Sequence, residues 1–420
     1  MGRWSIAALA INSVIGSGVF GLPSTIAALT GRASPIAVLL AGAVAGIIVA
    51  CLAEVASRFS ETGGPYLYAR IAFGPFVGIQ IGWMLWLAQI TALAANANLF
   101  VSYLTEFLPL AHEPIPRALC LTVLIGFIAA INVIGVQAGA WLSNILTLAK
   151  LLPLFAVIVV GAVFVARSGP APAPPFHSGL DAWLQSLLLL VFAYGGFETA
   201  LTPMGEARNP RRDAAFALTV ALITCAVIYT LIQWVVVEVL SNPANSEHPL
   251  ADVARVAIGP RAAAFVSAAA LISLYGYLSA KILGVPRVTY ALGERGDLPS
   301  FFAAVHPRFH TPYVSIAIFS IFTWSLALAQ SFAWNVTVSA VARLVYYAVV
   351  CLALPVLRAR SSTTPEFRLP AGNWLAALGT LLCLALLTRV NFSGSMILLL
   401  TISLASMNWL WVRNRAHRSP

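Results

Sequence analysis

The sequence predicts an all-α polytopic membrane protein with about twelve transmembrane helices, arranged as a five-plus-five inverted repeat with two helices appended. Three observations carry that class. Hydrophobic residues make up 60% of the 420 residues and charged residues only 9%, against roughly 25% charged in soluble domains. Apolar windows long enough to cross a bilayer core, about twenty residues each, recur along the whole chain. Two of those windows are broken by glycines at matching places, and a second pair of similar segments lies at nearly the same offset.

In chain order the windows fall near residues 6–29, 35–57, 76–108, 117–134, 141–165, 182–204, 214–240, 262–286, 312–330, 334–357, 373–388 and 394–412, roughly one bilayer thickness each. The first opens on an apolar run at Ile6 that mimics a signal peptide. It continues past Gly16 and Gly18 with no convincing cleavage site, so it reads as a span. The second carries Gly42 and Gly46, a spacing that suits close helix packing. Asn96 and Asn98 mark the third, where interhelical packing is the safer assignment and a contact to a substrate side chain the sharper one. Lys150 lies in the fifth, the second glycine break in the sixth, Lys281 in the eighth and Arg343 in the tenth. Repeat one is expected over about 6–165, repeat two over about 182–357, and the two further helices over about 373–412. Connections are short throughout, which leaves no room for a soluble domain.

The net charge of +10 is a topology signal, not a nucleic-acid footprint. With twelve spans and the N-terminus inside, fifteen arginines fall on the inner side, among them Arg58, Arg70, Arg211, Arg212, Arg295 and Arg358. Six fall outside, including Arg32, Arg117 and Arg255. That bias places both termini in the cytoplasm. The expected location is the inner or plasma membrane, with lipid as solvent and with neither a nucleic-acid partner nor an obligatory protein partner. The five cysteines sit in apolar stretches without disulfide or metal spacing. All six histidines fall in loops or the tail, so no cofactor or metal centre is expected at mid-membrane, and no catalytic motif stands out. No filter sequence or ring of charge suggests a channel.

The broken segments read Ser13-Val14-Ile15-Gly16-Ser17-Gly18-Val19-Phe20 before Pro23, and Phe192-Ala193-Tyr194-Gly195-Gly196-Phe197-Glu198-Thr199 before Pro203. Unsatisfied backbone groups are costly in hydrocarbon, so irregular backbone persists only where it is buried in protein or lines a cavity. Amide N–H groups around Gly16, Ser17 and Gly18 are expected at a half-helix N-terminus, where negative charge is favoured. Carbonyls at Val14 and from Phe192 through Ala193 to Tyr194 are expected at half-helix C-terminal ends, which suit an ammonium. Together, Val14–Gly18 (with Ile15 and Gly16) and Phe192–Gly195 describe a cradle for a zwitterion such as an α-amino acid. The bland reading of Gly-x-Gly is helix packing; the pairing of two breaks argues against it. Ala69-Arg70-Ile71-Ala72-Phe73-Gly74-Pro75 matches Ala254-Arg255-Val256-Ala257-Ile258-Gly259-Pro260 at five of seven positions, with an offset of 185 residues against about 179 for the breaks. Both offsets correspond to five spans, an odd number, so the second copy is inverted.

The ordered set of motifs resembles the amino acid–polyamine–organocation family of permeases. It comprises Gly16-Ser17-Gly18-Val19-Phe20 with Pro23, Gly63-Gly64-Pro65-Tyr66 leading to Phe73-Gly74-Pro75, and Gly195-Gly196-Phe197-Glu198. It continues through Gly205-Glu206, Asn209-Pro210-Arg211-Arg212, Arg287 with Tyr290-Ala291, Gly296-Asp297-Leu298-Pro299, His306-Pro307 and Thr311-Pro312. The resemblance spans nearly the whole chain. It implies a leucine-transporter-like fold and a secondary transporter of amino acids, with polyamines as the alternative substrate and a transport-inactive sensor on the same fold as a further one. It implies that Ser17 and Gly18 meet the substrate carboxylate, that Val14 offers its carbonyl to the amino group, and that Phe192 closes over the substrate as a gate. Glu198 matches an acid of the sixth span that either responds to protons or holds the broken helix. Lys150 matches a lysine that stands where sodium-coupled relatives bind sodium, which implies sodium-independent transport by proton coupling or exchange. A structural, snorkelling lysine is its plainer reading. Lys281 and Arg343 are expected either as structural charges or as partners of Glu54, Glu106 or Glu238 that lock one access state. Breaks flanked by small, apolar residues lean toward neutral amino acids, whereas Glu198 keeps cationic ones in play.

Overall fold

The computed structural model describes residues 3–59, 63–135, 140–172, 179–200, 210–360 and 367–416. Among them the chain forms sixteen α-helices and no strand. The first apolar window is split into α1 (Arg3–Val14) and α2 (Ser17–Thr30), and the second forms α3 (Ser34–Ala56). A short helix α4 (Gly64–Phe73) leads into the long α5 (Pro75–Leu104), followed by α6 (Pro114–Ile134) and α7 (Ala140–Ser168). The sixth window is split again, into α8 (Leu180–Tyr194) and α9 (Phe197–Ala200). Then come α10 (Pro210–Val239), a second short helix α11 (Pro249–Ala257) and the long α12 (Pro260–Glu294). The last four are α13 (Tyr313–Ala329), α14 (Phe332–Arg360), α15 (Gly372–Leu387) and α16 (Phe392–Ala416).

Each of the twelve apolar windows overlaps helix among the described residues. Eight of the described helical stretches are long and apolar enough to cross a membrane, and Leu180–Tyr194, Tyr313–Ala329 and Gly372–Leu387 are shorter apolar helices. This is a multi-pass membrane protein. Its outward faces are greasy, as lipid requires: Leu39, Phe127, Phe155, Ile223, Phe265, Ile321 and Leu399 are all exposed.

The helices that flank the two breaks form the centre. The first half of α14 packs against α5 and α8, α2 lies along α8, and α1 lies against α9 and α10. Small residues permit this closeness. An added Cβ on Gly42 of α3 would sit 2.9 Å from the Tyr194 hydroxyl, and one on Gly46 would meet Leu222 of α10 at 3.4 Å. Gly42 and Gly46 thus serve helix packing, as their spacing suggests. Within α2 the Pro23 carbonyl accepts a hydrogen bond from Gln233 Nε2 at 3.0 Å, which ties α2 to α10.

The two Ala-Arg-x-Ala-x-Gly-Pro segments adopt the same local form. Each ends a short helix, turns on a glycine with positive φ (+92° at Gly74, +129° at Gly259) and starts a long helix on the proline. Proline suits a first helical position because its missing N–H has no intrahelical partner there anyway. Glycine is what makes the preceding positive φ inexpensive.

Ion pairs cluster at the two ends of the bundle. Where α3 ends and α5 begins, Glu54 meets Arg58 at 3.0 Å and Arg358 at 2.6 Å, while Arg70 meets Asp297 at 2.6 Å. Tyr66 donates to the same Asp297 oxygen at 2.5 Å. Burial and then the Asp297 carboxylate push the Tyr66 phenol up to about 12. At the opposite end Arg255 meets Glu106 at 2.6 Å, and Arg32 meets Glu238 at 3.7 Å. The Glu106 hydrogen bond is the main cause holding the Arg255 guanidinium above its ordinary range.

Candidate functional site

Both breaks expected from the glycines are present, and they touch one another. The helical ladder of α1 still closes at Ile15, whose N–H reaches Ile11 O at 2.9 Å, and α2 restarts at Ser17 after Gly16 at φ −126° and ψ −147°. On the other side α8 stops at Tyr194; Gly195 is extended, and Gly196 takes φ +115°. A Cβ on Gly196 would run into the Ser13 carbonyl oxygen, and one on Gly18 would lie 2.7 Å from Ala193 Cα. Only glycine fits at Gly196, on two grounds: the left-handed conformation and the close approach of α1. The reciprocal contacts place Val14, Ile15, Gly16, Ser17 and Gly18 beside Phe192, Ala193, Tyr194 and Gly195, all of them buried.

Several of the freed backbone groups have partners. Ser17 N–H donates to Asn96 Oδ1 at 3.0 Å, and Asn96 is itself held by its Nδ2 donating to Ala92 O at 2.7 Å. The amide expected to await a carboxylate is thus engaged by α5 in this conformation. Asn98 is used between helices, accepting from Arg117 at 2.7 Å and donating to Gln330 O at 3.0 Å. Val14 O accepts from the Tyr229 hydroxyl at 3.2 Å, and Tyr194 OH donates to Val38 O at 2.9 Å. Lys150 Nζ, from α7, faces the carbonyls of Asn12 and Ile15, each at 3.5 Å. It lies 2% exposed at the first break, in place of snorkelling outward.

Around the first break three polar atoms are buried with no hydrogen-bond partner among the described residues: Asn12 Oδ1, Ser17 Oγ and Ser273 Oγ. Ser273 is one helical turn from Tyr277, whose ring edge lies 3.1 Å from where a Gly16 Cβ would be. Unsatisfied buried polar atoms are uncommon in folded proteins. Here the atoms belong to α1, α2 and α12 around one break.

Glu198 opens α9 and is 3% exposed. Its Oε1 accepts from Arg343 Nη1 at 2.5 Å and from Tyr346 OH at 2.8 Å. Its Oε2 accepts from Gly196 N–H at 3.0 Å and from Tyr347 OH at 3.1 Å. Arg343 is therefore the partner of Glu198, not of Glu54, Glu106 or Glu238, which pair near the bundle ends. The reason is depth: Arg343 lies mid-way along α14, level with the break, and its guanidinium packs directly over Gly195. Tyr229, Tyr277, Tyr346 and Tyr347 were not singled out by sequence reasoning. For the last two a signal existed, since Arg343, Tyr346 and Tyr347 follow the i, i+3, i+4 spacing that puts polar groups on one helix face.

Lys281 also faces this centre. Its Nζ lies 5.4 Å from the centroid of the Tyr277 ring, and Lys150 Nζ lies 5.7 Å from the same centroid. Phe192, the expected gate, is 6% exposed at the C-terminal end of α8, and its carbonyl accepts from Gly195 N–H at 3.1 Å. A groove of about 430 Å³, open to solvent, lies elsewhere, between Tyr66, Trp83, Trp86, Asp297 and Asn408. A smaller apolar hollow of about 220 Å³ adjoins the second break between Tyr194, Phe197 and Tyr347. Pro203, Gly205, Glu206 and Asn209, named from the sequence, lie outside the described residues.

Comparison with known proteins agrees with these motifs. The family model described as amino acid permease matches residues 1–407. A vacuolar cationic amino acid transporter of Arabidopsis thaliana is 28% identical over 372 residues, covering 84% of this chain and 62% of that protein, so the chain spans less than two thirds of its length. A methylthioribose transporter of Bacillus subtilis is 28% identical over 394 residues, covering 88% of this chain and 84% of the relative. A serine/threonine exchanger of the same bacterium is 28% identical over 326 residues, covering 74% and 72%. The family and these relatives are transporters, not enzymes.

Proposed function

We propose that this chain, which belongs to the amino acid permease family, is a secondary active transporter that carries an amino acid across the cell membrane by alternating access. The observation that carries the reading is the reciprocal contact of the two helix breaks, Gly18 on Ala193 and Gly196 on Ser13. Unwound backbone of the two breaks meets there, and beside it lie buried polar atoms with no partner among the described residues. Main-chain dipoles at half-helix ends suit the carboxylate and ammonium of a zwitterion.

In this reading the substrate carboxylate takes the amides and hydroxyl of Gly16, Ser17 and Gly18, displacing Asn96 from Ser17. The ammonium takes the carbonyls of Val14, Phe192 and Ala193. Glu198 does not touch substrate; through four donors it ties the unwound segment to α14. Lys150 sets its amine against the α1 carbonyls, the kind of place a bound sodium ion would otherwise occupy, so transport is sodium-independent and runs by proton coupling or exchange. The close packing of the breaks corresponds to a substrate-free, closed conformation, which a ligand with higher affinity for a more open state would shift. Residues of about 6–165 and 182–357 form the two inverted repeats. The paired Gly74-Pro75 and Gly259-Pro260 turns support that division. Both termini lie in the cytoplasm on the arginine distribution.

Counterflow of labelled amino acids in proteoliposomes tests this. Saturable exchange in sodium-free buffer is the expected result. Ion current without exchange would make the protein a channel; binding without exchange would make it a sensor. Exchange that collapses without sodium and recovers on its addition would overturn the role given to Lys150.

A further inference from the structure

Given an amino acid held between the breaks, the buried charges around them bear on which amino acids are accepted. Among the described residues four ionisable side chains lie buried there: Lys150, Lys281 and Arg343 against Glu198, each 4% exposed or less. The one carboxylate is fully engaged. Its two oxygens take four donors, from Arg343, Tyr346, Tyr347 and the Gly196 amide, and a carboxylate offers about four acceptor positions. No acceptor position is left on Glu198 for a ligand cation.

The two lysines bear on the same spot. Their ammonium groups lie 5.7 Å and 5.4 Å from the Tyr277 ring centroid, and that ring rests against Gly16 at the first break. Lys150 already faces the Asn12 and Ile15 carbonyls at 3.5 Å, on either side of the Val14 carbonyl assigned to the ligand ammonium. Glu198 and Arg343 are themselves a pair at 2.5 Å. Among the described residues, two amines face the first break, and the nearby carboxylate of Glu198 is already paired with Arg343.

We propose that Lys281, together with Lys150, is a charge filter on the substrate site that admits neutral and anionic amino acids and rejects cationic amino acids and polyamines. A zwitterion brings no net charge to the cradle, and an acidic side chain brings a charge opposite to the filter. An arginine or lysine side chain, or a diamine, adds a further cation. At about 7 Å and an effective dielectric of about 20, one such like-charge contact disfavours binding on the order of fifty-fold.

The test is competition for counterflow in proteoliposomes, with labelled alanine, leucine and glutamate as probes and unlabelled arginine, lysine and putrescine as competitors. The wild-type protein is expected to be inhibited by the cationic competitors at least about tenfold more weakly than by the best neutral one. Lys281→Met is expected to narrow that gap by at least about tenfold, while Lys281→Arg, which keeps the charge, preserves it. Arginine or putrescine competing with wild type as well as neutral amino acids do would overturn the proposal, and that measurement requires no substitution. An unchanged gap in a folded Lys281→Met protein would overturn it too. Failure of every amino acid to exchange is a different result, and it removes the permease reading on which the filter rests.

Discussion

Glu198 and Arg343 meet at 2.5 Å with side chains only 2% and 1% exposed, so each is the main reason the other is tolerated in the centre of the bundle. Replacing Glu198 by Gln removes the charge while nearly keeping the shape. The guanidinium then lies buried without a counter-ion, and the new amide nitrogen faces a donor, either the Gly196 N–H or Arg343 itself. Loss of one partner from a buried ion pair costs about 3–5 kcal/mol, and E198Q is expected toward the upper end. Arg343→Met leaves a carboxylate still bonded by Tyr346, Tyr347 and the Gly196 amide, which places it nearer about 3 kcal/mol. The double variant buries neither charge unpaired. It is expected to be more stable than the sum of the two losses implies, by at least about 2 kcal/mol of coupling. Reversible unfolding in mixed detergent micelles, followed by tryptophan fluorescence, measures all four proteins. Additivity within about 0.5 kcal/mol would show that the two residues are energetically independent, and the description of α9 as fastened to α14 through this pair would fail.

Four further outcomes follow from the same geometry. Asn96→Ala strands the buried Ser17 amide and is expected to cost about 1–3 kcal/mol in the same unfolding assay; a neutral effect would mean the amide is otherwise satisfied. Gly196→Ala forces a Cβ toward the Ser13 carbonyl at φ +115° and is expected to destabilise by more than about 1 kcal/mol from the backbone conformation alone. Gly18→Leu fills the contact with Ala193 and is expected to abolish amino-acid binding, read by thermal shift with and without ligand. A folded Gly18→Leu protein that binds and transports normally would move the site elsewhere. Replacing external sodium by choline is expected to leave initial uptake rates of wild type unchanged, and a large loss would contradict the assignment of Lys150.

Much of the architecture was legible because membrane helices advertise themselves by length and composition. The breaks were legible for a more specific reason. Gly16, Gly18, Gly195 and Gly196 are out of place in uninterrupted spans, and most of them meet a neighbour so closely that a Cβ would clash. The short helices α4 and α11 were visible only as a repeated Ala-Arg-x-Ala-x-Gly-Pro segment, whose turn chemistry now has a common form. What the sequence concealed is the pairing of charges across the bundle. Glu198 and Arg343 are 145 residues apart, and nothing local in either segment favours that partner over Glu54, Glu106 or Glu238. Depth decides it, and depth depends on where the sixth span unwinds. The occupation of Ser17 N–H by Asn96 was concealed similarly. A polar residue in an apolar span signals a bond to something, while its partner is fixed only by helix rotation.

The most direct measurement is an experimental structure of the protein in lipid nanodiscs with a transported amino acid bound. The account predicts ligand density between Gly16–Gly18 and Phe192–Gly195, the two breaks drawn apart from their Gly18–Ala193 contact, and Ser17 N–H turned from Asn96 to the ligand carboxylate. Ligand density lodged in the groove lined by Trp83 and Trp86, with the breaks still closed on each other, would contradict it.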